Sequence, residues 1–127
     1  ANMAIKVNKI LGDRAVERIK ENPYILADNV DGITFKSADA IAMAQGFSYN
    51  NHFRIKSGIK YILKTEAYVG GHTFLPEKVL REEAVEKLNV KDEDIDNVLD
   101  ELVLLKELSY DNQHKRFCRS KKFQHSF

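Results

Sequence analysis

The sequence predicts a mainly α-helical chain: helices joined by a tight hairpin turn, then a small unit of strand, helix, helix and β-hairpin. Three observations predict it. From about residue 15 to residue 69, apolar residues recur three and four positions apart, the period of one helix face. A turn centred on Gly32 joins two such segments so tightly that the helices must cross steeply. After Gly70-Gly71 the pattern changes to short apolar or aromatic runs alternating with two further helical stretches.

Taken in order, Ala4 to Leu11 reads as a short helix closed by Gly12. Asp13 is placed to cap the next helix, whose inward face is Ala15, Val16 and Ile19. Ala1 and Asn2, ahead of Met3, read as a vector remnant. Asn22-Pro23 restarts the chain, Asn as cap and Pro at the first helical position, for a helix of roughly 23–27. The turn Val30-Asp31-Gly32-Ile33-Thr34 follows. The next helix runs from about Phe35 to Gln45, with Ala38, Ile41, Ala42 and Gln45 on one face. Gly46 is its expected left-handed C-cap. Past a polar loop at 48–51, a long helix from His52 to Val69 carries the stripe Ile55, Ile59, Ile62 and Leu63. Gly70-Gly71 is expected to end it as a hinge.

His72 to Leu75 is strand-like, and Pro76 opens a helix carrying Val79, Leu80, Ala84 and Leu88 up to Asn89. Asp92 is expected to cap the last helix, with Ile95, Val98, Leu99, Leu102 and Val103 inward. The segments 108–110 and 116–118 flank a polar turn and form a two-stranded hairpin. This order is that of a winged-helix unit. The expected division is therefore 1–71 for the hairpin subdomain and 72–127 for a winged-helix-like subdomain with a basic C-terminal tail.

Composition bounds the function. The 127 residues suffice for one ordinary domain or two very small ones. A hydrophobic share of 43% with 31% charged residues describes a globular chain. Formal net charge is +1, but unevenly spread: +3 over residues 1–71, −7 over 72–111 and +5 over 112–127. A polyanion should meet the first block or the tail. Cys118 is the single cysteine, which excludes an internal disulfide and fits a reducing cytosol. No membrane-spanning run or signal peptide pattern is present.

The chemistry of the Gly32 turn is that of an anion site. The first N–H groups of a helix lack intrahelical acceptors and carry the positive end of the dipole, so they suit a phosphate. Lys36 adds a point charge and Ser37 a hydroxyl donor. The alternative is a packing turn with no ligand. Arg54, Lys56, Lys60 and Lys64 add charge to the long helix, the three lysines at i, i+4, i+8. That edge is either basic contact surface or a plain solvated face. The tail Lys115-Arg116-Phe117 … Lys121-Lys122-Phe123 interleaves bases with aromatics, either to grip a single strand or as a frayed end. His52, His72, His114 and His125 stand too far apart to suggest a metal site. Cys118 has no nucleophile signature around it. The acids between Asp92 and Glu101 read as a solvated helix face, one that like charge keeps out of a DNA groove.

Residues 30–38, Val-Asp-Gly-Ile-Thr-Phe-Lys-Ser-Ala, resemble the helix-hairpin-helix signature apolar-x-Gly-apolar-Gly-x-x-x-Ala. The ordered set Asn22-Pro23-Tyr24, Asp31-Gly32-Ile33-Thr34-Phe35-Lys36-Ser37-Ala38-Asp39, Ile41-Ala42, with Gly12-Asp13-x-Ala15 upstream and Gly71-His72-Thr73-Phe74-Leu75-Pro76 downstream, resembles the N-terminal region of RecD-like DNA helicases, the exodeoxyribonuclease V alpha-chain family. The similarity spans roughly residues 5 to 105. Two departures stand out: the motif's second glycine is Thr34, and beyond Arg119 the chain does not continue toward a motor as the family would.

The resemblance implies an accessory DNA-binding segment of an ATP-dependent 5′-to-3′ helicase of recombination and repair, in the cytoplasm. It binds phosphates without sequence readout through Gly32, Ile33, Thr34, Phe35, Lys36, Ser37, Lys56, Lys60 and Lys64. No phosphate-binding loop Gly-x-x-x-x-Gly-Lys-Ser/Thr is present, so this segment is not the ATPase. ATP and Mg belong to the parent's motor, and no cofactor is expected here. The expected partners are the DNA backbone and the motor domain of the same chain, with no membrane and a monomeric state. The rival reading is a protein-interaction module in which the hairpin is structural and the acidic helix docks the motor or a basic partner.

Overall fold

The computed structural model describes residue 9 and residues 12–30, 32–70 and 74–119. The expected helix at 4–11, the turn residue Asp31, Gly71, His72 and the tail beyond Arg119 lie outside the described residues, apart from Lys9, which is helical. Among the described residues the fold is mainly helical with one small antiparallel sheet. The elements are α1 (Ala15–Glu21), α2 (Ile25–Asn29), α3 (Phe35–Ala44), α4 (His52–Gly70), β1 (Phe74–Pro76), α5 (Glu77–Leu88), α6 (Asp92–Leu104), β2 (Leu108–Asp111) and β3 (Arg116–Arg119). No described helix is long and apolar enough to cross a membrane.

The chain forms two compact units, Ala1–Ser48 and Tyr49–Phe127. The division expected at 71 moves because α4 belongs to the second unit. Its stripe Ile55, Ile59, Ile62 and Leu63 is buried, and α4 packs on α5 and α6. A half-apolar helix joins whichever neighbours cover its stripe, and sequence order does not name them.

In the first unit, Asp13 does not cap α1. It lies in a 3₁₀ turn, Gly12–Arg14, and Arg14 holds the N-cap position without a side-chain bond. Ala15, Leu26 and Val30 form a small buried cluster with Ile19, Ile25 and Ile33 against it. Val16, expected inward, is 66% exposed. α2 starts two residues later than expected. The Asn22 side chain still acts at its entry, its Oδ1 accepting the Tyr24 N–H at 3.1 Å. α3 buries Phe35, Ala38 and Ala42, while Ile41 faces outward. Gly46, at φ +90°, closes α3 as expected. Its N–H donates to Met43 O, and that of Phe47 to Ala42 O, both at 3.1 Å: the paired bonds of a Schellman ending.

In the second unit, Leu80, Ala84 and Leu88 of α5 and Ile95, Val98, Leu99 and Leu102 of α6 complete the core around α4. Val79 and Val103, the latter expected inward, are partly exposed. The expected cap also shifts by one residue. Lys91 is the N-cap of α6, and Asp94 reaches back to accept the Lys91 N–H at 3.3 Å. Asn89 ends α5 in the left-handed conformation.

The expected two-stranded hairpin is a three-stranded sheet, because β1 adds to β3 in the order β1-β3-β2. Leu75 and Tyr110 both lie opposite Phe117, and the Tyr110 and Phe117 rings are 4.7 Å apart. Arg116 lies over the Phe74 ring at 3.8 Å and pairs with Asp111 at 3.0 Å. The turn and α5 are tied together: Lys115 O accepts the Glu77 N–H at 2.9 Å.

Two outcomes follow for stability. α6 ends in the same hydrogen-bond pattern as α3, the Lys106 N–H donating to Val103 O and the Glu107 N–H to Leu102 O, but a lysine sits at the left-handed position with φ +62°. Lys106→Gly should raise stability by about 1 kcal/mol, read as an upward shift of the urea midpoint. The second outcome concerns acid. Glu77 accepts the Tyr110 hydroxyl at 2.7 Å and Arg81 Nε at 3.0 Å. The Tyr110 bond first, and Arg81 second, hold its carboxyl below the ordinary value of 4.5. A carboxyl lowered in the folded state stabilises fully above its unfolded value, and loses that contribution as pH falls through the lowered one. Denaturation below pH 4.5 should therefore show a shallower loss of stability in Glu77→Gln than in the parent, on matched urea titrations.

Candidate nucleic-acid interface

The turn between α2 and α3 is short because Gly32 takes φ +92°, open to glycine at no steric cost. The Ile33 N–H donates to Val30 O at 3.3 Å across it. Thr34 then stands at the N-cap of α3 in extended conformation, and its Oγ1 accepts the Ser37 N–H at 3.3 Å. One donor of the helix opening is thus satisfied internally. Ser37 Oγ also lies 3.3 Å from Thr34 Oγ1.

The six residues expected to contact DNA here divide by exposure. Gly32, Thr34, Lys36 and Ser37 are exposed. Ile33 is half-buried against the Leu26 and Val30 cluster. Phe35 is buried, stacked on Tyr24 with ring centroids 5.7 Å apart. Lys36 is the lysine of this opening, and no ion pair involves it among the described residues. The turn therefore offers one exposed cation and one exposed hydroxyl beside the opening of α3.

The lysine edge of α4 does not form as expected. Lys60 is 6% exposed and its Nζ lies 3.4 Å from Glu107; Lys56 pairs with Glu101 at 3.6 Å. Lys64 is exposed. Spacing of four places lysines on one face, but here that face turns to the acids of α6 and the turn after it. Arg54 is buried as well. Its guanidinium donates to Leu88 O at 2.5 Å and Tyr49 O at 2.9 Å, and lies 5.1 Å from the Tyr49 ring centroid. It closes the C-terminal end of α5, where carbonyls lack partners and the dipole favours a cation.

The acids of α6 are partly spent within the chain. Arg81 pairs with Asp92 at 3.3 Å and with Asp96, and Glu101 pairs with Lys56. Spacing in the chain gives no sign that Tyr24 and Asp39, 15 residues apart, are bonded, the Tyr24 hydroxyl donating to Asp39 Oδ1 at 2.5 Å. The role of Arg54 at the end of α5 could not be seen either, because Leu88 lies 34 residues away.

Residues 1–74 match the family described as the ATP-dependent RecD2 DNA helicase HHH domain. That is more than half of the chain, and the protein belongs to this family. The match spans the hairpin, Thr34 included, and α4.

The Thr34 geometry sets opposite responses in one variant. Thr34→Gly removes the internal acceptor of the Ser37 N–H and the Cβ at the helix mouth. Stability should fall by a few tenths to about 1 kcal/mol, read by circular dichroism melting. Affinity for a short fluorescent duplex at low salt should rise, as the helix opening becomes more accessible.

Proposed function

We propose that this segment holds DNA by its phosphates, without reading bases, as an accessory part of an ATP-dependent 5′-to-3′ RecD-like helicase, the exodeoxyribonuclease V alpha-chain type, in recombination and repair. The observation that carries the reading is the exposed opening of α3. A glycine-dependent turn presents a helix N-terminus with Lys36 and Ser37 beside it, in a chain of the RecD2 HHH family. Gly32, Thr34, Lys36 and Ser37 make the contact; Ile33 and Phe35 shape the turn from beneath. On the second unit, Lys64 is a separate candidate for a phosphate, while Lys56 and Lys60 act chiefly within the fold. The unit from β1 to β3 serves as a winged-helix-like companion.

In this reading the segment carries no catalytic residue and no cofactor of its own. ATP and Mg serve the motor of the parent chain, which works in the cytoplasm, and the segment acts as a monomer. A second reading, docking of the motor or another protein, is supported by a different surface. Val103, Leu104 and Leu105 end α6 exposed, Leu104 at 81%.

Contact confined to phosphates predicts weak, sequence-blind binding. Log affinity for duplex DNA should fall linearly with log salt, with a slope near −0.9 per phosphate, and about two to four phosphates should be counted. Fluorescence anisotropy on two unrelated duplexes over a salt series measures both features. Salt-independent affinity, or strong preference for one duplex, would sink the phosphate reading in favour of the second.

A further inference from the structure

Resting on the phosphate reading above, we propose that Tyr24 is a positioning residue for the Lys36 contact: its hydroxyl holds the Asp39 carboxylate away from Lys36, so that this lysine stays available to a phosphate.

Tyr24 is fully buried, and its hydroxyl donates to Asp39 Oδ1 at 2.5 Å. Its ring cannot swing, because Phe35 stacks on it at 5.7 Å and Phe47 meets it edge-on at 6.3 Å. The bond satisfies both groups. A buried phenol without an acceptor is costly, and a hydrogen bond to a carboxylate is of the stronger, charge-assisted kind.

Asp39 follows Lys36 by three residues on α3, so their side chains are neighbours on the helix surface. A carboxylate released there would pair with the lysine. It would also place a negative charge beside any bound phosphate. The sequence carries this acid at an otherwise suitable anion site, and the bond to Tyr24 removes the conflict by holding the half-buried carboxylate against the Tyr24 hydroxyl. Tyr24 thereby acts on DNA it never touches.

The test is a cycle of Tyr24→Phe, Asp39→Asn and the double variant. Each is checked for folding by circular dichroism and titrated against a short duplex at low salt, with Lys36→Ala alongside. Tyr24→Phe should weaken binding by about two- to threefold, the size of one helix-surface ion pair with added repulsion. The double variant should return to the parent affinity, since the released group no longer carries charge. Asp39→Asn alone keeps Tyr24 and an acceptor oxygen, and should bind at least as tightly as the parent. A double variant as weak as Tyr24→Phe would make the tyrosine a packing residue only and overturn the proposal. An unaffected Tyr24→Phe would also overturn it. Should Tyr24→Phe fail to fold, weakened binding by Asp39→Asn overturns it instead. If Lys36→Ala binds like the parent, the phosphate reading itself fails; if Lys36→Ala weakens binding and Tyr24→Phe does not, only the positioning role fails.

Discussion

The second unit depends on a close approach at Gly58. A Cβ at that position would lie 2.5 Å from the nearest Leu88 side-chain carbon, closer than real Cβ contacts come. With hydrogen at residue 58 the Leu88 side chain fits against α4; a Cβ there would force that side chain to shift. One turn earlier on α4, Arg54 donates to the backbone carbonyl of the same Leu88. Side chain and carbonyl of one residue are thus taken by positions i and i+4 of one helix. The rest of the unit is built outward from there. The start of α5 is tied to the sheet through Glu77, Tyr110 and Lys115 O, and to α6 through Arg81 with Asp92 and Asp96. An arginine can serve two carboxylates and a helix neighbour together because its five donors are fixed in one plane.

That arrangement also decides where positive charge is left over. The strongly acidic stretch 72–111 draws inward the cations that pack against it. Lys56 and Lys60 bury their stems along α4 and direct their ammonium groups to Glu101 and Glu107. Their charge is used to neutralise the protein itself. The opening of α3, in the other unit, carries Lys36, which enters no ion pair among the described residues. The difference between a basic residue and a basic surface is therefore set by what faces it.

The hairpin unit is smaller and rests on different means. Ala38 and Ala42 on α3 are fully buried. Tyr24, Phe35 and Phe47 supply the bulk. The turn itself adds two local devices, the positive φ of Gly32 and the Thr34 cap. Thr34 stabilises the opening and narrows it at once, because the hydroxyl that caps the helix takes an N–H group a phosphate would otherwise use.

The sequence by itself determined whatever depends on neighbours in the chain. The Gly46 ending, the Thr34 position before α3, the stop at Asn89 and the strand–helix–helix–hairpin order are local, and residue type and spacing suffice for them. The hairpin signature was legible for the same reason, and so was the family to which residues 1–74 belong. Only the tertiary structure decided what depends on residues far apart. It assigned α4 to the second unit, turned Val16, Ile41, Val79 and Val103 outward, paired β1 with β3, and turned Lys60 toward Glu107. A period of 3.6 says which residues share a helix face, but not which other segment, dozens of residues away, will cover that face or neutralise it.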